Sequence, residues 1–337
     1  MRTLSVKTSH LLRFWLGLIL MLSFFEPVAA VICASEVTIN GLQEVKKAQP
    51  RVHTQEILRV PVGAAERELG VVTPEEANPE GPMSFTVGQA GELYVLDQTN
   101  SRIQVYENGQ WKKTIPIPTR TYSDLEILPG DKIALLDSLV KKEVTVIDLS
   151  GKVLASFTLV KPEIPQPEEI IGVYYIAAGN WPGLWVRADN RSFLMAEKDL
   201  RPVPNAIKIP GLLTPDGRRL LKVEIVDEKE AVISRSDETF SKWKNFSISF
   251  PLPLGVIYGV WQDGRNNIYL ATNVYNFRQE RNQVVVLNPE GREIGRVDLY
   301  VSKVPNEVFY PVRVTAGGEI FQLAIEEKEV VVRKYNY

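Results

Sequence analysis

Histidine and cysteine, which are suited to proton transfer near neutral pH and to binding transition metals, are few in this 337-residue chain. It contains two histidines, His10 and His53, and one cysteine, Cys33, all before the first repeated unit described below. Histidine acid–base catalysis, histidine-bound zinc and a cysteine nucleophile are therefore disfavoured, and the chain has no Gly-x-Ser-x-Gly elbow. Asp97 and Arg102 have the types and spacing of a catalytic pair. We favour the interpretation that they brace a hairpin.

Side chains suited to binding are more numerous. Residues 272–282 (TNVYNFRQERN) combine aromatic and arginine side chains, a mixture that is enriched at interface hot spots. The candidate binding residues in this segment are Tyr275, Phe277, Arg278 and Arg281. Four more are predicted to join them at one face of the fold: Arg120, Tyr122, Tyr310 and Arg313. The alternative is that these side chains only pack between strands or remain solvated.

A repeated pattern of turns and strands in the sequence predicts the elements that position these residues. A tight turn followed by an alternating apolar strand recurs six times, as in residues 90–97 (AGELYVLD) and 129–137 (PGDKIALLD). A second strand and a hairpin turn such as Asn108-Gly109 follow, because glycine readily adopts the positive φ of a tight turn. With one strand before and one after, each unit has four short antiparallel strands. Such units of about 40 residues are typical of propeller blades.

We therefore predict an all-β fold, a six-bladed β-propeller with four antiparallel strands per blade. The predicted blades are 83–118, 122–160, 170–210, 218–253, 256–300 and 309–337. The last of them lacks an outer strand, and residues 57–62 (ILRVPV) are predicted to supply it, so that an N-terminal strand closes the ring within residues 57–337.

The loops of such a propeller divide between two faces. The first and third turns of each blade are mostly tight and define what we call the short-turn face. The middle loops and the connections between blades define the long-loop face. Its predicted long loops are 63–82, 160–169, 210–218, 272–282 and 300–309. Because long loops on a rigid frame usually carry binding residues, we predict the site at the long-loop face.

Residues 1–34 have the layout of a secretory signal peptide, and 35–56 form an N-terminal extension. Three basic residues precede the apolar stretch 14–25 (FWLGLILMLSFF), and cleavage is predicted after Ala30 or Ala34. The apolar stretch is short for a membrane anchor, which needs about 20 residues. We therefore predict export, without a membrane span after cleavage.

The compartment follows from cysteine usage. Cleavage after Ala34 would leave no cysteine, and a secreted chain of this size without disulfides suits the bacterial periplasm or the cell exterior. Lipid attachment at Cys33 is disfavoured, because Ile32 stands where a small residue is needed.

The charge of the chain argues against nucleic acid as a partner. The formal net charge is −2. Removal of residues 1–34 takes away three of the 39 basic residues and one of the 41 acidic residues, which leaves −4. Phosphate binding requires a basic surface that such a chain does not supply.

Residues 81–109 resemble an NHL repeat, with Gly81-Pro82 at the start, Asp97 at the end of a strand, and Asn100 and Arg102 leading into the next strand. Later blades keep the apolar pattern and lose the signature, since Lys142 stands near the expected arginine and Thr272 replaces the aspartate. The resemblance implies a divergent six-bladed NHL or TolB-like propeller. That family includes enzymes, RNA-binding proteins and protein-binding scaffolds.

Two functions remain open. The sequence favours a binding or scaffold module, without a cofactor, for a protein or small ligand at the long-loop face. The alternative is a divalent-cation-dependent hydrolase that resembles the gluconolactonase-type propellers. That resemblance implies inward carboxylates and asparagines around an ion such as Ca²⁺, for which Asp124, Glu224 and Asn267 are candidates.

Overall fold

The computed structural model describes residues 52–76, 78–304 and 307–337. Within these residues the chain forms six four-stranded antiparallel sheets and two 3₁₀ turns, η1 (Gln98–Asn100) and η2 (Pro167–Glu169). The predicted six-bladed β-propeller is confirmed. The predicted signal peptide, Cys33 and most of the 35–56 extension lie outside the described residues.

The blades follow one another along the chain. Blade 1 comprises β2 (Phe85–Val87), β3 (Leu93–Asp97), β4 (Arg102–Glu107) and β5 (Gln110–Pro116). Blade 2 comprises β6 (Asp124–Leu128), β7 (Lys132–Asp137), β8 (Glu143–Asp148) and β9 (Val153–Thr158). Blade 3 comprises β10 (Gly172–Ile176), β11 (Gly183–Ala188), β12 (Arg191–Glu197) and β13 (Pro202–Pro210). Blade 4 comprises β14 (Leu212–Leu213), β15 (Leu220–Asp227), β16 (Glu230–Ser236) and β17 (Trp243–Ser249). Blade 5 comprises β18 (Leu254–Gln262), β19 (Ile268–Tyr275), β20 (Glu280–Leu287) and β21 (Glu293–Leu299). Blade 6 comprises β22 (Val312–Val314), β23 (Ile320–Ile325), β24 (Glu329–Asn336) and β1 (His53–Pro61).

Burial differs between inner and outer strands, and the residue pattern differs with it. The second strand of blade 2, β7, is buried on both faces and is almost continuously apolar (KIALLD). The outer strand β9 buries only Phe157 fully and leaves Val153 and Leu154 exposed. This gradient follows from sheets that pack face to face around an axis, because the outer strands diverge towards solvent.

The apolar cores lie between consecutive blades. Ile103 of blade 1 packs in one cluster with Leu135 of blade 2, and the next cluster joins blades 2 and 3. Further clusters join blades 3 and 4, blades 4 and 5, and blades 5 and 6. In the sixth cluster Leu323 and Val332 of blade 6 pack with Phe85 of blade 1. The six cores therefore form a closed ring.

The closing strand β1 pairs antiparallel with β24, with Val60 opposite Val330. Leu58 and Val60 are buried in the core between blades 6 and 1. Closure by an N-terminal strand was predicted and is confirmed. The strand begins at His53 rather than at residue 57, so the end of the predicted N-terminal extension belongs to blade 6.

Two of the predicted long loops have a different structure. The segment 210–218 contains the inner strand β14, and its following turn lies at the short-turn face. Two apolar residues were too short a run to indicate a strand. The segment 272–282 is mostly strand, because β19 and β20 extend until only residues 276–279 remain as a turn.

Candidate functional site

The pair Asp97 and Arg102 is a structural brace. Arg102 Nε donates to Asp97 Oδ2 at 2.7 Å, and Arg102 Nη2 donates to the carbonyl oxygens of Ala65 and Glu68. The other carboxylate oxygen of Asp97 accepts from the backbone N–H of Gly70 at 2.9 Å. Asp97 lies opposite Arg102 across the hairpin of β3 and β4, which is the brace that the sequence interpretation predicts. The pair also ties blade 1 to the connection that follows the closing strand, which was not predicted.

A large cavity runs along the central channel and opens at the short-turn face. It has a volume of about 1250 Å³. Residues from all six blades line it, many of them on inner strands, among them Thr86, Glu126, Tyr174, Arg187, Leu212, Trp261 and Arg313. This cavity lies at the opposite face from the one on which the sequence places the site.

A buried ion pair lies at the inner end of this cavity. Arg313 Nη2 donates to Asp124 Oδ1 at 2.5 Å, and Ser84 Oγ donates to the same oxygen at 2.6 Å. Asp124 Oδ2 accepts from the backbone N–H of Val173 at 3.1 Å. Since these residues belong to blades 6, 2, 1 and 3, the network joins four blades at the axis. Asp124 is 1% exposed, so its charge is neutralised entirely within the protein.

Arg187 reaches the same end of the channel from the second strand of blade 3. Its register partner on the inner strand is Gly172. A Cβ atom on Gly172 would lie 2.8 Å from Arg187 Nε and 3.2 Å from Arg187 Cγ. The missing side chain at position 172 therefore leaves the passage through which Arg187 crosses the inner strand.

The two guanidinium groups share one aromatic ring. The Cζ atoms of Arg187 and Arg313 lie 5.4 Å and 4.9 Å from the ring centroid of Tyr310, which is buried. Both contacts are cation–π interactions. Burial raises the pKa of the Tyr310 hydroxyl well above its usual value, so this group stays protonated.

Glu126 lies two residues beyond Asp124 on the same inner strand and lines the cavity. In the described part of the chain its carboxyl makes no hydrogen bond. Burial in the channel raises the pKa of Glu126, the charge of Arg313 lowers it, and the charge of Asp124 raises it by less, so that the pKa is about 8. Glu126 is therefore mostly protonated at neutral pH.

The long-loop face presents a different surface. Most of the large apolar side chains that remain exposed lie at this face: Val72, Leu139, Val140, Val160, Ile171, Ile225, Val226, Val256, Tyr275, Phe277 and Phe309. The others are Val153, Leu154, Ile207 and Ile294, on outer strands. The distribution follows the loops, because the first set lies in middle loops, in blade connections or at the strand ends next to them.

The hairpin of β19 and β20 carries the most exposed of these side chains. Phe277 is 90% exposed. Asn276 fixes the turn, because its Oδ1 accepts from the backbone N–H groups of Arg278 at 2.8 Å and Gln279 at 3.0 Å. The guanidinium of Arg278 lies 5.0 Å from the Phe277 ring centroid. An ordered turn thus holds an aromatic ring and a cation in solvent.

A groove of about 770 Å³ lies beside this hairpin, between blades 5 and 6. Val256, Tyr258 and Glu280 of blade 5 line one side, and Tyr300 and Phe309 of the blade connection line the other.

The eight predicted binding residues occupy four separate places. Tyr275, Phe277, Arg278 and Arg281 lie on the exposed hairpin, whereas Tyr310 and Arg313 lie at the inner end of the channel. Arg120 is exposed and its Nε donates to Ser101 Oγ at 3.1 Å. Tyr122 is 1% exposed and packs in the core between blades 1 and 2. That any of the eight binds a ligand or partner stays a prediction.

The three candidate calcium ligands lie in three different blades. Asp124 is paired with Arg313, Glu224 is exposed on β15, and Asn267 Nδ2 donates to Asp263 Oδ2 in the turn before β19. In the described ranges no three His, Cys, Asp or Glu side chains are grouped as metal ligands. The Ca²⁺ expectation stays untested.

Sequence reasoning did not select Glu126, Arg187 or Gly172. Glu126 carries a weak signal, because a carboxylate interrupts the otherwise apolar inner strand 124–128 (DLEIL). The pairing of Gly172 with Arg187 has no local signal, because it depends on the register between two strands.

Comparison with known proteins identifies no family. No family model matches the chain, and no curated protein is significantly similar to it, so the NHL and TolB-like assignment stays a prediction. Of the residues that the structure describes, none belongs to a helix long and apolar enough to span a membrane.

Solved structures show weak similarity. A member of the DUF4221 family from Bacteroides vulgatus has a TM-score of 0.44 and 13% identity, over 86% of this chain and 99% of that one. Virginiamycin B lyase from Staphylococcus aureus has a TM-score of 0.41 and 11% identity, over 84% and 99% of the chains. BamB from Moraxella catarrhalis has a TM-score of 0.37 and 11% identity, over 85% and 100%. Similarity at this level says nothing about a shared function.

Proposed function

We propose that this protein is an exported, non-catalytic binding propeller of the NHL or TolB-like type, and that its long-loop face docks a partner protein. The observation that carries the proposal is the concentration of exposed large apolar side chains at that face. Val256 and Phe309 line the groove beside the Phe277 hairpin, and soluble proteins seldom expose contiguous apolar surface unless it contacts another molecule. Burial of one phenylalanine side chain at an interface contributes about 1.5–3 kcal/mol to the free energy of binding, so the exposed Phe277 is suited to contact a partner.

The charges beside Phe277 indicate the chemistry of the partner. Neither Arg278 nor Arg281 belongs to an ion pair within the described residues; Arg281 Nη2 only donates to Gln279 Oε1 at 3.5 Å. Arginine next to an exposed aromatic ring is typical of interface hot spots. The hairpin therefore suits a protein segment that presents an apolar side chain flanked by carboxylates, which would pair with the two guanidinium groups.

The rigidity of the hairpin supports the same role. Its turn is held by the Asn276 side chain, and its strands continue the central pair of a four-stranded blade. A binding element that is already ordered loses little conformational entropy on association. The neighbouring groove, lined by Tyr300 and Phe309, gives the partner a second apolar contact.

Site-specific photocrosslinking tests this proposal. A photoreactive phenylalanine analogue at position 277 is expected to crosslink one discrete protein in intact cells of the source organism. The charge reversal R278E/R281E should abolish that crosslink, because it replaces the two cations with carboxylates that repel an acidic segment. The variant should fold normally, because both side chains are exposed.

A matched control uses the opposite face. The same analogue at Gln89, in the first turn of blade 1 at the short-turn face, should yield no crosslink to that protein. The proposal fails if positions 277 and 89 give the same crosslinked species, if position 277 gives none, or if the charge reversal leaves the crosslink unchanged.

A further inference from the structure

The inner end of the channel cavity contains one cation without an anionic partner. Of the two guanidinium groups there, that of Arg313 pairs with Asp124 at 2.5 Å. The guanidinium of Arg187 makes no ion pair or hydrogen bond with another described residue. It makes a cation–π contact with the Tyr310 ring. A guanidinium in a cavity lined by protein has lost part of its hydration and gains from an anion placed beside it.

The backbone is arranged to bring this cation to the axis. Arg187 belongs to the second strand of its blade, and its side chain passes over Gly172, where any Cβ would lie within 2.8 Å of Nε. Gly172 has no positive φ that would require glycine for backbone reasons. Its contribution is the space through which Arg187 enters the channel.

The carboxyl of Glu126 also lines this cavity, and it has no hydrogen-bond partner among the described residues. The charges of Arg313 on β22 and of Asp124 on its own strand act on this carboxyl. Arg187 on β11 and Tyr174 on β10 line the same cavity, and Tyr310 contacts both guanidinium groups. The Asp124 and Arg313 charges cancel, so a protonated Glu126 leaves the end of the channel with one net positive charge. A protonated carboxyl also offers a hydrogen to an anion.

The walls of the cavity between this end and the mouth carry both apolar and polar side chains. Leu212, Val260 and Trp261 line them on the side of blades 4 and 5, and Val87 lines the side of blade 1. The volume of about 1250 Å³ exceeds the several hundred Å³ that a small ligand fills. An apolar body of modest size therefore fits between the mouth and the charged end.

We propose that the channel cavity binds a small organic carboxylate. Its carboxylate pairs with the Arg187 guanidinium and accepts a hydrogen bond from the Glu126 carboxyl, and its apolar body lies against Leu212 and Trp261. The site opens at the short-turn face and is independent of the partner surface proposed above, so either proposal can fail alone.

Ligand-detected NMR and calorimetry with paired probes test the site. The probes are benzoate, phenylacetate and hexanoate, each compared with its neutral amide, at about pH 6.5. At least one carboxylate is expected to bind, and its amide at least tenfold more weakly, because a charge-assisted hydrogen bond is stronger than a neutral one.

Three variants separate the parts of the site. R187Q should weaken carboxylate binding at least tenfold, and G172A should do the same with Arg187 still present, because its new Cβ displaces that side chain. E126Q should keep binding above about pH 8.5, where wild-type binding weakens as Glu126 ionises. R191Q is the matched control, because Arg191 pairs with Glu169 on the protein surface.

The site proposal is overturned if no carboxylate binds better than its amide, or if R187Q binds carboxylates as tightly as R191Q does. Equal pH dependence of binding in wild type and E126Q would overturn the assignment of Glu126 as the hydrogen donor.

Discussion

The substitution Glu126→Gln should change how stability depends on pH. In the folded protein the pKa of Glu126 is raised from an ordinary 4.5 to about 8, chiefly by burial in the channel. Between these two values the folded state holds a proton that the unfolded state releases. Wild-type stability is therefore greatest below pH 4.5 as far as this group is concerned, and it falls as the pH rises towards 8. Glutamine cannot ionise, so the variant lacks this loss.

The size of this loss of stability follows from the linkage between proton binding and folding. One proton of difference between the folded and unfolded states changes the free energy of unfolding by about 1.4 kcal/mol per pH unit. From about pH 5.5 to 7.5 the upper value for the loss is about 2.7 kcal/mol. Because Glu126 is only partly buried and lines a cavity that opens to solvent, we expect about 2 kcal/mol over that interval.

The assay is urea unfolding followed by tryptophan fluorescence at several pH values. The stability difference between E126Q and wild type should grow by about 2 kcal/mol in favour of the variant from about pH 5.5 to 7.5. The control Glu228→Gln removes an exposed carboxylate from the turn between β15 and β16 and should leave the pH dependence unchanged. Parallel curves for E126Q and wild type would refute the reasoning.

Three other substitutions have definite expected outcomes. Arg313→Met leaves the buried Asp124 charge unpaired and should lower the free energy of unfolding by about 3–5 kcal/mol at neutral pH, measured by urea unfolding; a loss below about 1 kcal/mol would contradict the buried pair. Val60→Asp places a charge in the core between blades 6 and 1 and should cost at least about 3 kcal/mol, seen as a lower Tm; an unchanged Tm would contradict closure by β1. Gly172→Ala should move the Arg187 side chain out of the channel, which a crystal structure of the variant would show; an unmoved Arg187 would contradict the passage argument.

The propeller frame was predictable because its signals are local. Glycine turns such as Asn108-Gly109 and alternating strands recur within each blade, and each short segment carries its own evidence for a strand or a turn. The inner strand Leu212–Leu213 was missed, because two residues are too few to show a period. The extension of β19 and β20 into the predicted loop 272–282 was missed as well. The closing strand was predictable from the count of strands in the last blade.

The candidate sites were predictable only in part. The Phe277 hairpin was visible as a mixture of aromatic and arginine residues in one segment. The channel site depends on which residues of neighbouring strands lie opposite each other, and a shift of one residue would turn Arg187 to the other face of its sheet. Tyr122 was selected as a binding residue but lies in the core, because residue type alone does not distinguish a buried aromatic side chain from an exposed one.

Hydroxyl-radical footprinting in intact cells tests the docking claim most directly, because radicals label exposed aromatic side chains. Tyr275, Phe277 and Phe309 are about half exposed or more in the isolated chain. If a partner covers the long-loop face, their oxidation should fall severalfold in cells relative to the purified protein, while oxidation of Trp111 on outer strand β5 stays the same. Equal oxidation of the three side chains in cells and in the purified protein would contradict the account.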